Sequence, residues 1–149
     1  MIRAFRGLGL GQAAMRYRDQ EALDVGAALR HPVLPIFGMK PGELRLSNRL
    51  VETMLDKLLA GFTLPHTKST VLQDWMKGRR SEVDDLNGLV VAKVARLGRM
   101  APVNTAIAEM AHRVEQGKIK PALANRYALQ DLIQRRVTGC ESAPSPQVR

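Results

Sequence analysis

Thr67-Lys-Ser-Thr-Val-Leu-Gln-Asp74, followed closely by Gly78-Arg-Arg-Ser-Glu-Val-Asp-Asp-Leu-Asn-Gly88, decides how this chain reads. Thr70 and Gln73 have the spacing of a capping box, in which a hydroxyl and an amide satisfy free backbone donors at a helix start. Gly78 stops that short helix. Ser81 then caps a longer one, with Glu82, Asp84 and Asp85 in its first turn, where acidic groups favour the positive end of the helix. Val83, Leu86, Val90, Val94 and Leu97 form one stripe along it, and Leu89, Val91, Ala92 and Ala95 widen the stripe almost all round. A helix apolar on most sides belongs at the centre of a domain or in a subunit interface. Gly98 ends it.

The same period extends in both directions. Upstream, Val51, Met54, Leu55 and Leu58 fall on one helical face, with Ser47 as N-cap and Gly61 as stop, before a loop through Pro65 and His66. Downstream, Pro102 suits a first helical turn. Ile107, Met110, Ala111 and Val114 repeat the spacing, and Gly117 closes that helix. Pro121 opens a last helix carrying Leu123, Leu129, Leu132 and Ile133. The residues after Gly139 are polar and proline-bearing, which predicts a disordered tail over 138–149.

The first forty residues are less regular. Gly7, Gly9 and Gly11 precede a weak helical pattern through Ala14, Tyr17 and Leu23 to Leu29. His31-Pro-Val-Leu-Pro-Ile-Phe-Gly38 interrupts it, because two prolines three apart break any regular helix. That segment reads as an extended connector burying Val33, Leu34, Ile36 and Phe37. Strand-like alternation appears nowhere, so the fold class is all-α. The predicted organisation is a helical extension and connector over 1–40, a helical domain over 41–137 and the tail over 138–149.

Composition sets outer limits. The 149 residues suffice for a compact domain with a real core. No apolar run is long enough to span a bilayer, and no secretory signal is read at Met1–Arg18. Cys140 is the single cysteine, which excludes an internal disulfide framework and any cysteine-based zinc site. His31, His66 and His112 lack metal-ligand spacing. These features fit a reduced, cytoplasmic protein. Net charge is +9, but the basic residues are dispersed without a long single-sign block, which argues against a nucleic-acid reader.

The quoted stretch resembles the C-terminal domain of ketopantoate reductases, the NADPH-dependent 2-dehydropantoate 2-reductases. The family pattern stands here as Lys68-Ser-Thr-Val-Leu-Gln-Asp74, Gly78-Arg-Arg-Ser-Glu-Val-Asp84 and Leu86-Asn-Gly88, followed by Gly98 and Pro102-Val-Asn104. The resemblance covers roughly residues 44 to 116. It implies a helical domain, similar to that of phosphogluconate dehydrogenases, that closes the cleft of a separate dinucleotide domain and helps form a dimer. It implies that Glu82 matches the active-site glutamate that hydrogen-bonds the substrate hydroxyl. Thr70 stands where the family has a serine contacting the substrate carboxylate, and Ser69 lies beside it as a second substrate-binding candidate.

Departures from the family pattern are equally informative. No Asn-x-x-x-Lys-x-x-x-Asn grouping supplies the family's catalytic lysine; Lys40 sits in a turn context and Lys68 belongs to the signature itself. Gly9-x-Gly11-x-x-Ala14 mimics a dinucleotide fingerprint without a preceding hydrophobic strand. The expectation is therefore no cofactor site in this chain and no Rossmann domain, with NADP(H) held by a separate segment or another chain. Expected partners are a second copy or that Rossmann segment, and a small 2-keto acid. The competing readings are a non-catalytic helical interaction module and a basic helical nucleic-acid binder.

Residue by residue, other readings stand beside these. Glu82 also reads as ordinary first-turn charge, and Thr70 as a cap. Asn87 and Gly88 are poor helix formers, for which a close helix crossing is the simplest reason. Trp75 reads as core.

Overall fold

The computed structural model describes residues 10–36, 38–40, 44, 50–61 and 68–141. These form six α-helices with no strand among them, the all-α architecture expected. No helix of the described residues is long and apolar enough to cross a membrane. The chain divides into two compact units, with the boundary after Glu82.

The first unit contains α1 (Leu10–Ala28), α2 (Leu50–Gly61) and α3 (Thr70–Met76). Helices α1 and α2 pack on each other, and Arg16 Nε reaches Glu52 Oε1 at 2.9 Å. On α2 the predicted face holds: Val51 is buried, and Met54, Leu55 and Leu58 are half-buried. Ser47, Pro65 and His66 lie outside the described residues.

Helix α1 ends in a Schellman motif. His31 N donates to Gly26 O at 2.8 Å and Arg30 N to Ala27 O at 3.0 Å. The residue in the left-handed region is Arg30, at φ 60°. The same pair of bonds closes α3 through Gly78, at φ 65°, where glycine carries no Cβ penalty.

The connector after α1 corrects an expectation. Leu34 is 69% exposed, and Val33 and Ile36 are exposed too; Phe37 lies outside the described residues. Pro32 and Pro35 keep the segment out of a helix, and no strand lies among the described residues to add to. Burial comes instead at Met39, whose N–H closes a turn on Ile36 O at 2.9 Å.

In the second unit, a π-helical turn over Asp84–Gly88 leads into α4 (Leu89–Arg96), then α5 (Pro102–Glu115) and α6 (Asn125–Glu141). Pro102 occupies the first turn of α5, as predicted. Helix α5 is the centre of this unit, with Val103, Asn104, Ala106, Met110 and Ala111 all buried. Helix α6 packs along it and buries Ile133 and Val137.

The broad apolar helix expected over 81–97 is not the centre. Val83 and Val94 are buried, but Leu86 is 53% exposed and Leu89 52%. The π turn explains the difference: an extra residue in one turn rotates everything after it by about 100° relative to an uninterrupted α-helix. No side-chain cap hydrogen bond is made at Val83, where the turn begins.

Helix α6 departs from expectation at both ends. It starts at Asn125 and not at Pro121, leaving Leu123 exposed. Asn125 Nδ2 bonds back to Lys120 O at 2.8 Å and fixes the turn before it. The helix also runs through Gly139 to Glu141, so residues 138–141 are helical where a disordered tail was expected. Residues 142–149 of that tail lie outside the described residues.

Candidate functional site

Helix α3 presents the first signature word. Ser69, at φ −60° and ψ 154°, is its N-cap, and its hydroxyl accepts from Leu72 N at 3.3 Å. Gln73 Nε2 reaches back to Lys68 O at 2.9 Å. The cap is therefore one residue earlier than the spacing of Thr70 and Gln73 predicts. Extended backbone at Ser69 orients its hydroxyl toward the free N–H groups, and Thr70 becomes the first helical residue.

That shift frees the Thr70 hydroxyl. Gly78 turns the chain sharply after α3, and the second signature word runs back past it. Thr70 Oγ1 donates to Glu82 Oε1 across twelve residues of sequence. Both side chains are exposed, as is Ser69. The structure thus brings Ser69, Thr70 and Glu82 to one end of α3. Trp75, in the same helix, is half-buried.

The hydrogen-bond inventory defines what these groups offer. Ionised Glu82 only accepts, and it keeps lone pairs beyond the one Thr70 uses. A hydroxyl both donates and accepts, so Ser69 retains its proton while capping α3. Thr70 commits its proton to Glu82 and keeps only acceptor capacity.

In the second unit, considered by itself, the later signature words meet. Asn87 Nδ2, in the π turn, donates to Asn104 Oδ1 on α5 at 2.8 Å. Asn104 is 1% exposed, so this is a polar contact in the interior of the unit, where a group left unpaired is costly. Asn87 therefore meets α5 through its side-chain amide. Gly88 does not share that contact: a Cβ there would meet only its own turn, with Asp84 Cβ at 3.6 Å.

One pairing escaped the sequence reading. Asp84 Oδ1 holds His112 Nε2 at 2.6 Å, both half-buried. The two residues lie 28 apart, a separation with no motif to announce it. Among the described residues no group of acidic, histidine or cysteine side chains is arranged to hold a metal ion.

Of the Gly9-x-Gly11-x-x-Ala14 fingerprint, Gly9 and the residues before it lie outside the described residues. A pyrophosphate cradle needs a strand, a glycine turn and the start of a helix. Gly11 and Ala14 lie within α1, in continuous helix, with no strand among the described residues.

Comparison with known proteins bears on the whole arrangement. Residues 9–115 match the family described as ketopantoate reductase PanE/ApbA C terminal. The match spans more than half of the chain and ends at the last residue of α5. No curated protein and no solved structure matches the chain.

Proposed function

The chain belongs to the ketopantoate reductase C-terminal family, and from that premise we propose that it is the substrate-side, dimerising domain of an oxidoreductase. The complete enzyme reduces a 2-keto acid to a 2-hydroxy acid with NADPH. The dinucleotide is bound by a separate Rossmann segment or by another chain. Glu82 accepts a hydrogen bond from the hydroxyl that forms on the substrate. Ser69, whose proton is uncommitted, donates to the substrate carboxylate, and Thr70 holds the Glu82 carboxylate in place.

The observation supporting this reading is the Thr70–Glu82 hydrogen bond, which joins two separate signature words at one exposed helix end. The division of labour between the two hydroxyls follows from their donors. Thr70 cannot give its proton to Glu82 and to a substrate carboxylate at the same moment, whereas Ser69 accepts from the backbone and stays free to donate.

Glu82→Gln at the chromosomal locus tests the proposal. A growth requirement relieved by pantoate, with normal protein level, is the expected result. Normal growth without pantoate would remove the enzymatic reading. The purified chain is expected to bind NADPH far more weakly than micromolar, and turnover of ketopantoate by the chain alone would contradict the partition.

A second reading, a helical interaction module without chemistry, is favoured by Leu86 and Leu89, apolar side chains exposed one turn apart. It shares the dimerising role and differs only in predicting that Glu82→Gln is silent.

A further inference from the structure

We propose that the cleft between α5 and α6 binds a small phosphate-bearing ligand. The cleft is an open groove of about 510 Å³, room enough for a small molecule. Arg113, Lys118 and Arg136 line it, with Glu109 as the one carboxylate and His112 beside them. Three cations against Glu109 and the Asp84 carboxylate on His112 leave the groove electropositive.

The cations are only partly satisfied within the protein. Among the described residues, neither Arg113 nor Lys118 is paired with a carboxylate. Arg136 Nη2 donates to Glu109, but its Nε is buried and has no acceptor. The buried Nε is closed to solvent, so what Arg136 offers an incoming oxyanion is the remaining hydrogens on its partly exposed Nη atoms. Guanidinium and ammonium groups together suit phosphate, which takes bidentate and point-charge donors alike.

Local structure sets the arrangement. Lys118 N donates to Arg113 O at 2.9 Å, which folds the end of α5 so that Lys118 returns beside Arg113. Asp84 holds His112 through Nε2, leaving Nδ1 as the ring's other polar atom. Arg136 belongs to α6, which lies beyond residue 115 where the family match ends. The cleft therefore depends on a helix outside the matched span and is independent of the Ser69, Thr70 and Glu82 reading. Duplex nucleic acid fits less well, since it calls for a stripe of cations along a face or helix, and this lining is compact, concave and includes a carboxylate.

NMR titration of the full chain with pyrophosphate, and with glycerol 3-phosphate, at constant ionic strength in potassium chloride tests the proposal. Saturable shifts at His112, Arg113, Lys118 and Arg136 are expected. Arg113→Ala and Lys118→Ala should each weaken binding about tenfold, the scale of a charge-assisted contact, with an unchanged thermal midpoint. Glu109→Gln should tighten binding, a gain that a misfolded variant cannot imitate. Absence of saturable shifts, an equal response to chloride, or no change in Glu109→Gln would overturn the proposal. So would a short DNA duplex that shifts Lys93 and Arg96 as well and is not displaced by pyrophosphate.

Discussion

Thr70 donates its hydroxyl to the carboxylate of Glu82, linking the first residue of α3 to the turn that precedes the second unit. Because both groups are exposed, the bond contributes little to stability; under the proposed function its use is to orient the carboxylate. Thr70→Val keeps the shape and removes the donor. It is expected to lower stability by under about 1 kcal/mol in urea denaturation. In the assembled enzyme it should lower kcat/KM about tenfold or more, the cost of a misplaced catalytic group. Thr70→Ser, which restores the hydroxyl, should recover most of that loss. Equal activity of the valine and serine variants would show that this bond orients nothing.

Asn87 and Asn104 link the π turn to α5 through their side-chain amides. Asn104 is almost fully buried, so Asn104→Ala removes hydrogen-bond partners and opens a small cavity. A loss of about 2 kcal/mol is expected. Asn87→Ala should cost less, because Asn87 is only half-buried. A double-mutant cycle should return a coupling of about 1 kcal/mol, and a coupling near zero would mean that the two amides act separately.

How much of this was legible in the sequence differs by residue. The helical class and the stop at Gly78 follow from hydrophobic period and glycine placement, which are local signals. The resemblance singled out Ser69, Thr70 and Glu82, but spacing alone could not choose between two adjacent hydroxyls for the cap. Backbone conformation at Ser69 made that choice. The π turn left no mark, because four- and five-residue ladders carry similar patterns, and it displaced the apolar stripe predicted from Val83 to Leu97. Asp84 and His112 pair through tertiary structure over 28 residues, beyond any motif. The connector misled in the opposite sense: Val33, Leu34 and Ile36 are apolar and exposed, and hydrophobicity alone does not reveal whether a surface exists to cover a side chain.

Arg30 was equally invisible in the sequence, and it sits where glycine is preferred. At φ 60° its Cβ crowds the following carbonyl, at a cost of about 1–2 kcal/mol. Arg30→Gly relieves the crowding but loosens the unfolded chain, which offsets about 0.4–1 kcal/mol of the gain. A net rise in stability of up to about 1 kcal/mol is expected in urea denaturation. The mirror experiment is Gly98→Ala, at φ 66°, which should lower stability by about 1 kcal/mol because alanine introduces the same Cβ clash. Arg30→Gly that destabilises would show that the arginine side chain makes a compensating contact.

Helix α6 begins beyond the family match yet behaves as part of the core. Ile133 is 2% exposed and Val137 is buried with it, and both lie on a helix that packs along α5. Their removal leaves apolar space beside the central helix of the unit, with no rearrangement of polar groups to soften the loss. Ile133→Ala is expected to cost about 2–5 kcal/mol, the range for a buried isoleucine, whereas Leu123→Ala, at an exposed position, should change stability by no more than about 0.5 kcal/mol. Urea denaturation of the two variants decides the point. Comparable midpoints would mean that α6 rests loosely on α5, and that the second unit is complete by residue 115.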